Sequence, residues 1–207
     1  MGTGTLVLGI GNVLWADEGF GVRAVEALHA GWRFPPSVAF MDGGTQGLYL
    51  LPHVQAADRM LVFDAIDYHL APGMLQVVRD KDIPAYLGVG KMSLHQSCFQ
   101  EVLSFAQLSG QAPRHAALVG VQPDVLADFG GSLSPAVRAA IPDALAVGLR
   151  ILEAWGLPAE RRAEPLNESL SDPSLALARY ESGRPSERDA CRIGDARVLA
   201  RTPRRGG

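Results

Sequence analysis

The chain has 207 residues, of which 47% are hydrophobic, and its formal net charge is −3. This length indicates one domain with at most one appendage, and the small net charge gives no reason to expect nucleic acid or an anionic membrane surface as a partner. Neither an N-terminal signal segment nor a run of 18 uncharged apolar residues occurs, so we expect no stable insertion into a membrane.

Apolar runs and helical patterns alternate along residues 1–159. In chain order, the predicted elements are strand 5–10, helix 18–30, strand 38–42, helix 45–57, strands 60–66 and 74–79, helix 93–110, strand 115–121 and helix 141–156. Most strands are continuous apolar runs, which is typical of a sheet covered on both faces. The last helix is predicted to have Pro142 in its first turn and to stop at Gly156. The alternation predicts an α/β sandwich with a mostly parallel sheet, and the hairpin-sized link between residues 66 and 74 predicts one antiparallel strand.

Residues 160–207 differ from the rest of the chain in composition. They contain more basic than acidic residues and few large apolar side chains, and no periodicity would bury one face. We therefore predict a domain over residues 1–159 and a C-terminal extension over 160–207 that is disordered or loosely packed. A basic docking arm for an acidic partner is the functional alternative.

The first predicted strand leads into a glycine turn with the sequence GIGNVLWADEG. Gly9 and Gly11 match the first two glycines of the dinucleotide-binding fingerprint, but Leu14 stands where the third is needed. Asp17 and Glu18 stand at the helix start, where their charges would repel a pyrophosphate. We therefore expect no NAD or FAD and no other organic cofactor. Helix capping is the ordinary explanation of the acidic pair, although it does not account for the long turn.

Three predicted segments deliver a possible metal ligand to the carboxyl edge of the sheet. The first strand leads to Glu18, the third carries Asp64 within an apolar run, and helix 93–110 has His95 in its first turn. A buried carboxylate is costly unless it is paired or bound, and a histidine at a helix start is discouraged from protonation. Two carboxylates and a neutral imidazole predict a site for Zn²⁺ or Ni²⁺. Each residue taken singly has a simpler explanation: Glu18 caps a helix, Asp64 makes a hydrogen bond in a turn, and His95 begins a helix.

The remaining cysteines and histidines are interpreted as structural or surface residues. Cys98 lies three residues after His95 and is a possible fourth ligand, but a small apolar helix residue is the simpler interpretation. The two cysteines of the chain form neither a disulfide framework nor a CxxC metal site, which fits a reducing cytosol. His53, His69 and His115 have no comparable setting, and His29 lies near the end of the first predicted helix, where capping is the simplest interpretation.

Four segments occur in order within residues 4–156: LVLGIGNVLWADEGFGVRAVEAL, DGGTQGLYLLPHV, LVFDAID and MSLHQSCFQEVL. Together they resemble the maturation endopeptidases of [NiFe]-hydrogenases. The resemblance implies a three-layer α/β fold with a twisted, mostly parallel five-stranded sheet between helices. It also implies a monomeric, cytoplasmic endopeptidase that removes the C-terminal peptide of the hydrogenase large-subunit precursor after nickel insertion. The DGGTQG segment is similar to the branch that serves uptake hydrogenases.

The resemblance also implies roles for individual residues. The family's three metal-contacting positions match Glu18, Asp64 and His95, and its specificity-linked aspartate matches Asp42. The metal in that family is the nickel of the substrate, which implies that the precursor supplies it as a recognition signal. Either this metal polarises the scissile carbonyl or activates water, or it only positions the tail while Asp17 or Asp42 acts as general base.

Two other functions stay open on the sequence. A non-catalytic nickel-binding chaperone for hydrogenase assembly would use the same three ligands, and it would bind nickel without the precursor. A conventional zinc peptidase is less favoured, because no HExxH segment occurs.

Overall fold

The structure is a computed structural model that describes residues 4–83, 94–126, 128–166 and 169–184, with the side chains of 94–97 outside the description. In chain order, its strands and helices are β1 (Gly4–Ile10), α1 (Phe20–Gly31), β2 (Trp32–Arg33), β3 (Val38–Gly44), α2 (Leu51–Ala56), β4 (Ala57–Ala65), β5 (Leu75–Arg79), α3 (Leu94–Leu108), β6 (His115–Val121), α4 (Pro135–Ala154), β7 (Glu160–Arg161) and α5 (Leu177–Gly183). Short 3-10 turns at Ala16–Gly19 and Gly47–Leu50 lead into α1 and α2. Each predicted strand and helix is present, although several ends differ.

The main sheet of the described chain has the strand order β3-β1-β4-β6-β5. β1 pairs in parallel with β3 and β4, β4 pairs in parallel with β6, and β5 pairs antiparallel with β6. The α/β fold with a mostly parallel five-stranded sheet is therefore confirmed, as is one antiparallel strand. The hairpin-sized link that suggested this strand does not join paired strands, because β6 lies between β4 and β5.

Helices cover both faces of this sheet, and each face has its own hydrophobic core. One core contains Phe20 of α1 and Leu152 of α4, packed with Phe63 of β4. The other contains Val54 of α2 and Phe99 of α3. Because both faces are buried, the central strands β1, β4 and β6 contain long apolar runs rather than an alternating pattern.

Helix α1 lies very close to the sheet at Gly21. A Cβ atom at this position would lie 2.2 Å from the carbonyl oxygen of Ile10 and 2.2 Å from that of Phe63. Only glycine allows such an approach of helix backbone to strand backbone. Since the turn Ala16–Gly19 directly precedes α1, this contact holds that turn against the ends of β1 and β4.

Helix α4 begins six residues before its predicted start. The Ser134 hydroxyl oxygen accepts a hydrogen bond from the Val137 amide (3.4 Å), and Pro135 occupies the first helical turn. Pro142, predicted in that first turn, lies inside the helix at an exposed position. The predicted start is wrong because both prolines satisfy the same rule, and only the earlier one follows a side chain that can cap.

The described part of the C-terminal extension packs against the domain. β7 pairs antiparallel with β2, the Arg162 amide donates to the Gly31 carbonyl (2.9 Å), and the Leu166 amide donates to the Ala30 carbonyl (3.0 Å). These backbone bonds correct the expectation of a disordered or loosely packed extension for residues 160–166. Such pairing needs no apolar periodicity, which is why the composition did not indicate it. Residues 185–207, which the same prediction includes, lie outside the described residues.

Candidate active site

The loops after β1, β3 and β4 meet at the carboxyl edge of the sheet, where open α/β sheets bind their ligands. β1 lies between the other two strands, and its Gly9 is in register with Asp42 of β3 and with Phe63 of β4. Because neighbouring strands are about 4.8 Å apart, Asp42 and Asp64 stand on opposite sides of β1 with α-carbons about 10 Å apart.

Gly11, just beyond β1, lies between two of the predicted metal ligands. Its φ is 128°, a conformation that favours glycine. A Cβ atom on Gly11 would lie 1.8 Å from the carbonyl oxygen of Glu18 and 3.9 Å from Oδ1 of Asp64. The Gly11 amide donates to the Gly44 carbonyl (3.1 Å), which ties the same point to the end of β3. The structure therefore brings the Glu18 backbone and the Asp64 carboxylate to one glycine.

Asp64 is fully buried at the end of β4. Its Oδ1 accepts a hydrogen bond from the Ala65 amide (2.8 Å). Glu18 is half-buried in the 3-10 turn before α1, and its amide donates to the Trp15 carbonyl (2.9 Å). The structure therefore places a buried carboxylate, that of Asp64, close to the Glu18 backbone, and a carboxylate oxygen is a ligand that suits a cation.

His95 lies in the first turn of α3, as predicted, but its side chain is outside the described residues. The nearest described side chain of that helix is Cys98, whose Cβ would lie 3.2 Å from a Cβ built on Gly47. The start of α3 is therefore close to the turn that follows β3. Whether the imidazole joins Glu18 and Asp64 stays a prediction.

Asp42 is the ionisable residue at the end of β3, and its Oδ1 is buried without a hydrogen-bond partner among the described residues. Burial raises the pKa of this carboxyl above its ordinary value, and the nearby Glu26 carboxylate raises it further. The Gly44 amide, the Arg23 guanidinium and the Ser171 hydroxyl lower the pKa in part. A carboxyl group with a raised pKa is suited to take up a proton during catalysis.

Asp17 has a different setting from Asp42. It is fully buried, and its Oδ2 accepts hydrogen bonds from the amides of Asp124 (2.9 Å) and Val125 (2.8 Å). Its Oδ1 accepts from the amide of Ser134 (2.6 Å). Three backbone donors therefore occupy most of the acceptor capacity of this carboxylate. The contacts favour a structural role, in which Asp17 joins the turn before α1 to the segment before α4, over the predicted role as general base.

Gln122 is a buried residue at the same edge that sequence reasoning missed. Its Oε1 accepts hydrogen bonds from the amides of Tyr68 (2.8 Å) and Leu70 (3.1 Å), and its Nε2 donates to Oδ1 of Asp67 (3.0 Å). The side chain thus holds the loop that follows Asp64. A glutamine directly after an apolar strand was the available signal, but it does not reveal partners more than 50 residues away.

The other candidates lie apart from this edge or have ordinary contacts. His69 is exposed beside Asp67, and the ring of His29 packs 5.2 Å from that of Phe40. His115 begins β6 at the opposite end of the sheet. Among the side chains that the structure describes, which exclude that of His95, no group of three His, Cys, Asp or Glu residues is arranged to hold a metal.

Comparison with known proteins decides the family. The sequence model described as "Hydrogenase maturation protease" matches residues 22–151 of this chain, which is more than half of its length. This chain belongs to the hydrogenase maturation protease family. It is therefore an endopeptidase, a hydrolase that acts in hydrogenase maturation, and the family resemblance seen in the sequence is confirmed.

Named relatives of this protease extend the match over nearly its whole length. It is 55% identical to the hydrogenase expression/formation protein HoxM of Cupriavidus necator, over 94% of this chain and 97% of that protein. It is also 55% identical to the hydrogenase expression/formation protein HupD of Rhodobacter capsulatus, over 94% of this chain and 92% of that protein. Both relatives are thus similar to it beyond the range of the family model.

Solved structures confirm the fold of the protease. The hydrogenase maturating endopeptidase HybD from Escherichia coli superposes with a TM-score of 0.74 at 39% sequence identity. The match covers 78% of this chain and 99% of the E. coli chain. In the described part of this protease, no helix is long and apolar enough to cross a lipid bilayer.

Proposed function

We propose that the protease removes the C-terminal peptide of a [NiFe]-hydrogenase large-subunit precursor after nickel insertion, and that the nickel of the precursor is the recognition signal. Glu18, Asp64 and His95 would contact that nickel, and no organic cofactor takes part. The metal then arrives with the substrate, so the free enzyme needs no resident ion.

The observation that carries this proposal is the arrangement around Gly11. The Glu18 backbone and the Asp64 carboxylate flank this glycine on one side of β1, and Asp42 lies on the other side. An extended peptide rises about 3.3 Å per residue, so about three residues of a precursor tail span the roughly 10 Å from Asp64 to Asp42. A tail whose nickel is bound at Asp64 would therefore reach Asp42 with a nearby peptide bond.

Electrostatics supports selection of the nickel-loaded form. Two carboxylates that share one site repel each other, and a divalent cation removes this repulsion. A precursor without nickel supplies no such charge, so it would bind weakly. This kind of selection rests on a group that only the right partner satisfies.

Of the two carboxylates considered as general base, Asp42 has the better setting. Its raised pKa favours proton uptake, whereas the oxygens of Asp17 accept three backbone hydrogen bonds. In the proposed reaction, Asp42 takes a proton from water as the water oxygen attacks the scissile carbonyl carbon. The carbon–nitrogen bond then breaks, and the leaving amine takes up the proton.

A mixing assay tests the proposal. Purified large-subunit precursor, with and without nickel, is incubated with the protease and its intact mass is measured. We expect loss of a C-terminal peptide from the nickel-loaded form alone, and loss of this activity in Asp64→Asn. Cleavage of both forms would discard nickel as the signal, and cleavage of neither form would contradict the proposed substrate.

The alternative of a nickel-binding chaperone is less well supported, because the family is one of endopeptidases. The same assay separates the two, since a chaperone would bind the precursor and nickel without shortening the chain.

A further inference from the structure

The C-terminal extension crosses the domain along one face of α1. We call residues 169–184 the strap. Upstream of it, the Leu166 amide donates to the Ala30 carbonyl (3.0 Å). The Ser171 hydroxyl then donates to Oε1 of Glu26 (2.9 Å), and Nη1 of Arg23 donates to the Leu175 carbonyl (2.5 Å). These contacts on α1 recur every three or four residues, which places them on a single face of the helix.

The end of the strap is fixed near the start of α4. Glu181 forms an ion pair with Arg138 and accepts a hydrogen bond from the Ser132 hydroxyl (2.5 Å). The ring of Tyr180 lies beneath Arg23, with 5.7 Å between the guanidinium carbon and the ring centroid. Polar contacts at both ends therefore hold the strap across the carboxyl edge of the sheet.

Between these contacts, Leu175 of the strap lines part of a cleft beside Asp42. The cleft has a volume of about 210 Å³ and is lined by the loop after β1, the loop after β3, Val22 of α1 and Leu175 of the strap. Ser171 also lies close enough to Asp42 to lower the pKa of its carboxyl. Residues far apart in sequence thus border the space next to the proposed general base.

The buried side chain of Arg23 fixes the position of Leu175 beside the cleft. Its side chain is only 3% exposed, yet its Nη2 makes no hydrogen bond within the described residues. A buried guanidinium depends on the acceptors that it does have, which are the Glu26 carboxylate and the Leu175 carbonyl, so this contact holds Leu175 in place. The strap also lies outside residues 22–151, the range matched by the family model.

We propose that the strap is a specificity wall of the protease, and that the Leu175 side chain contacts the residues of the precursor tail next to the scissile bond. The proposal rests on the function proposed above and adds its peptide-binding surface. Asp42 and the loop after β3 hold the tail from one side, and Leu175 limits the size of the tail residue on the other. The substrate class is an extended peptide with a side chain that packs against leucine.

Two leucines of the strap provide a matched pair of variants in the full-length chain. Leu175 lines the cleft, whereas Leu170 packs against the core beneath α1 and α4 and is not among the lining residues. For Leu175→Ala we expect the KM for nickel-loaded precursor to rise about tenfold with kcat unchanged, since a lost apolar contact in a binding pocket has this order of effect. For Leu170→Ala we expect a lower melting temperature and an unchanged KM.

A crosslinking measurement keeps this inference separate from the proposed reaction. A photoreactive phenylalanine analogue placed at position 175 should crosslink to the tail of the precursor, and the same probe at position 170 should not. Because crosslinking needs no cleavage, it reports on the wall even if the wild-type chain cuts nothing. An unchanged KM in Leu175→Ala, or equal crosslinking from both positions, would overturn the specificity wall and leave the proposed cleavage intact.

Discussion

The substitution Asp17→Asn tests whether the Asp17 carboxylate has a structural or a catalytic role. The substitution keeps the shape of the side chain but converts one acceptor oxygen into an NH₂ donor. In the better orientation, the remaining oxygen faces the amides of Asp124 and Val125 (2.9 and 2.8 Å in the wild type). The new NH₂ group then faces the Ser134 amide, so two donors meet where a 2.6 Å hydrogen bond existed.

The magnitude follows from these three bonds. One charge-assisted hydrogen bond is lost, which costs about 1.5–3 kcal/mol, and the other two become neutral bonds of about 1 kcal/mol each. We expect the free energy of unfolding to fall by at least about 3 kcal/mol in total. For a domain of this size, that corresponds to a drop in melting temperature of roughly 6–12 °C. Urea unfolding followed by circular dichroism measures the free energy, and a thermal scan measures the temperature.

Turnover by the folded variant provides the decisive readout. At a temperature where Asp17→Asn is folded, we expect its kcat on nickel-loaded precursor to equal that of the wild type. Asp143→Asn, which removes an exposed carboxylate from α4, is the matched control and should change neither property. If Asp17→Asn keeps wild-type stability but loses cleavage, the structural role is refuted and Asp17 takes part in the chemistry.

Three further predictions concern other parts of the molecule. If Asp42 is the general base, kcat/KM falls at low pH as Asp42 is protonated. Because the pKa of Asp42 is raised, we expect this fall in a pH–rate profile to lie above pH 3.8, and a fall at or below that value would contradict the assignment. Gly21→Ala forces a methyl group onto the carbonyl oxygens of two strands, so we expect the free energy of unfolding measured in urea to fall by about 1–3 kcal/mol or more. We also expect reduced cleavage, because the turn before α1 moves. A variant as stable as the wild type would show that α1 shifts freely. The hydrogen bond from Arg114 to Asp58 (2.5 Å) lowers the pKa of the Asp58 carboxyl in the folded chain. This contact therefore stabilises the fold fully at pH values above the pKa that Asp58 has in the unfolded chain. The stabilisation is lost as the pH falls through the lower pKa that Asp58 has in the folded chain. Asp58→Asn should therefore be less stable than the wild type at pH 7 but not in acid, and a difference that persists in acid would contradict the ion pair.

Much of the fold could be predicted because its strands are buried on both faces. Such strands are continuous apolar runs, and β6 was predicted with its observed ends, His115 and Val121. Pairing was harder, since the position of β6 between β4 and β5 depends on contacts between distant segments. The start of α4 was missed because Pro135 and Pro142 satisfy the same local rule, and only the contacts around Ser134 distinguish them.

The candidate site shows the same division between local and distant information. Glu18 and Asp64 could be placed at one edge because Glu18 follows the first strand and Asp64 lies at the carboxyl end of another. The role of Asp17 could not be predicted, since its three hydrogen-bond donors lie more than 100 residues further along the chain. The strap was hidden for a similar reason: its contacts with α1 are single polar bonds, which leave no apolar pattern in the sequence.

The strand order has a consequence for how the chain folds. Among the described strands, only β5 pairs with the strand that follows it along the chain, and helix α3 separates β5 from that partner, β6. β1 stays unpaired until β3 has been made, and β5 has no partner until β6 is inserted beside it. Long loops must therefore close before the sheet gains any hydrogen bond, which slows folding. During synthesis, apolar strand edges remain open until residue 121 has left the ribosome, so the nascent protease is exposed to aggregation for most of its translation.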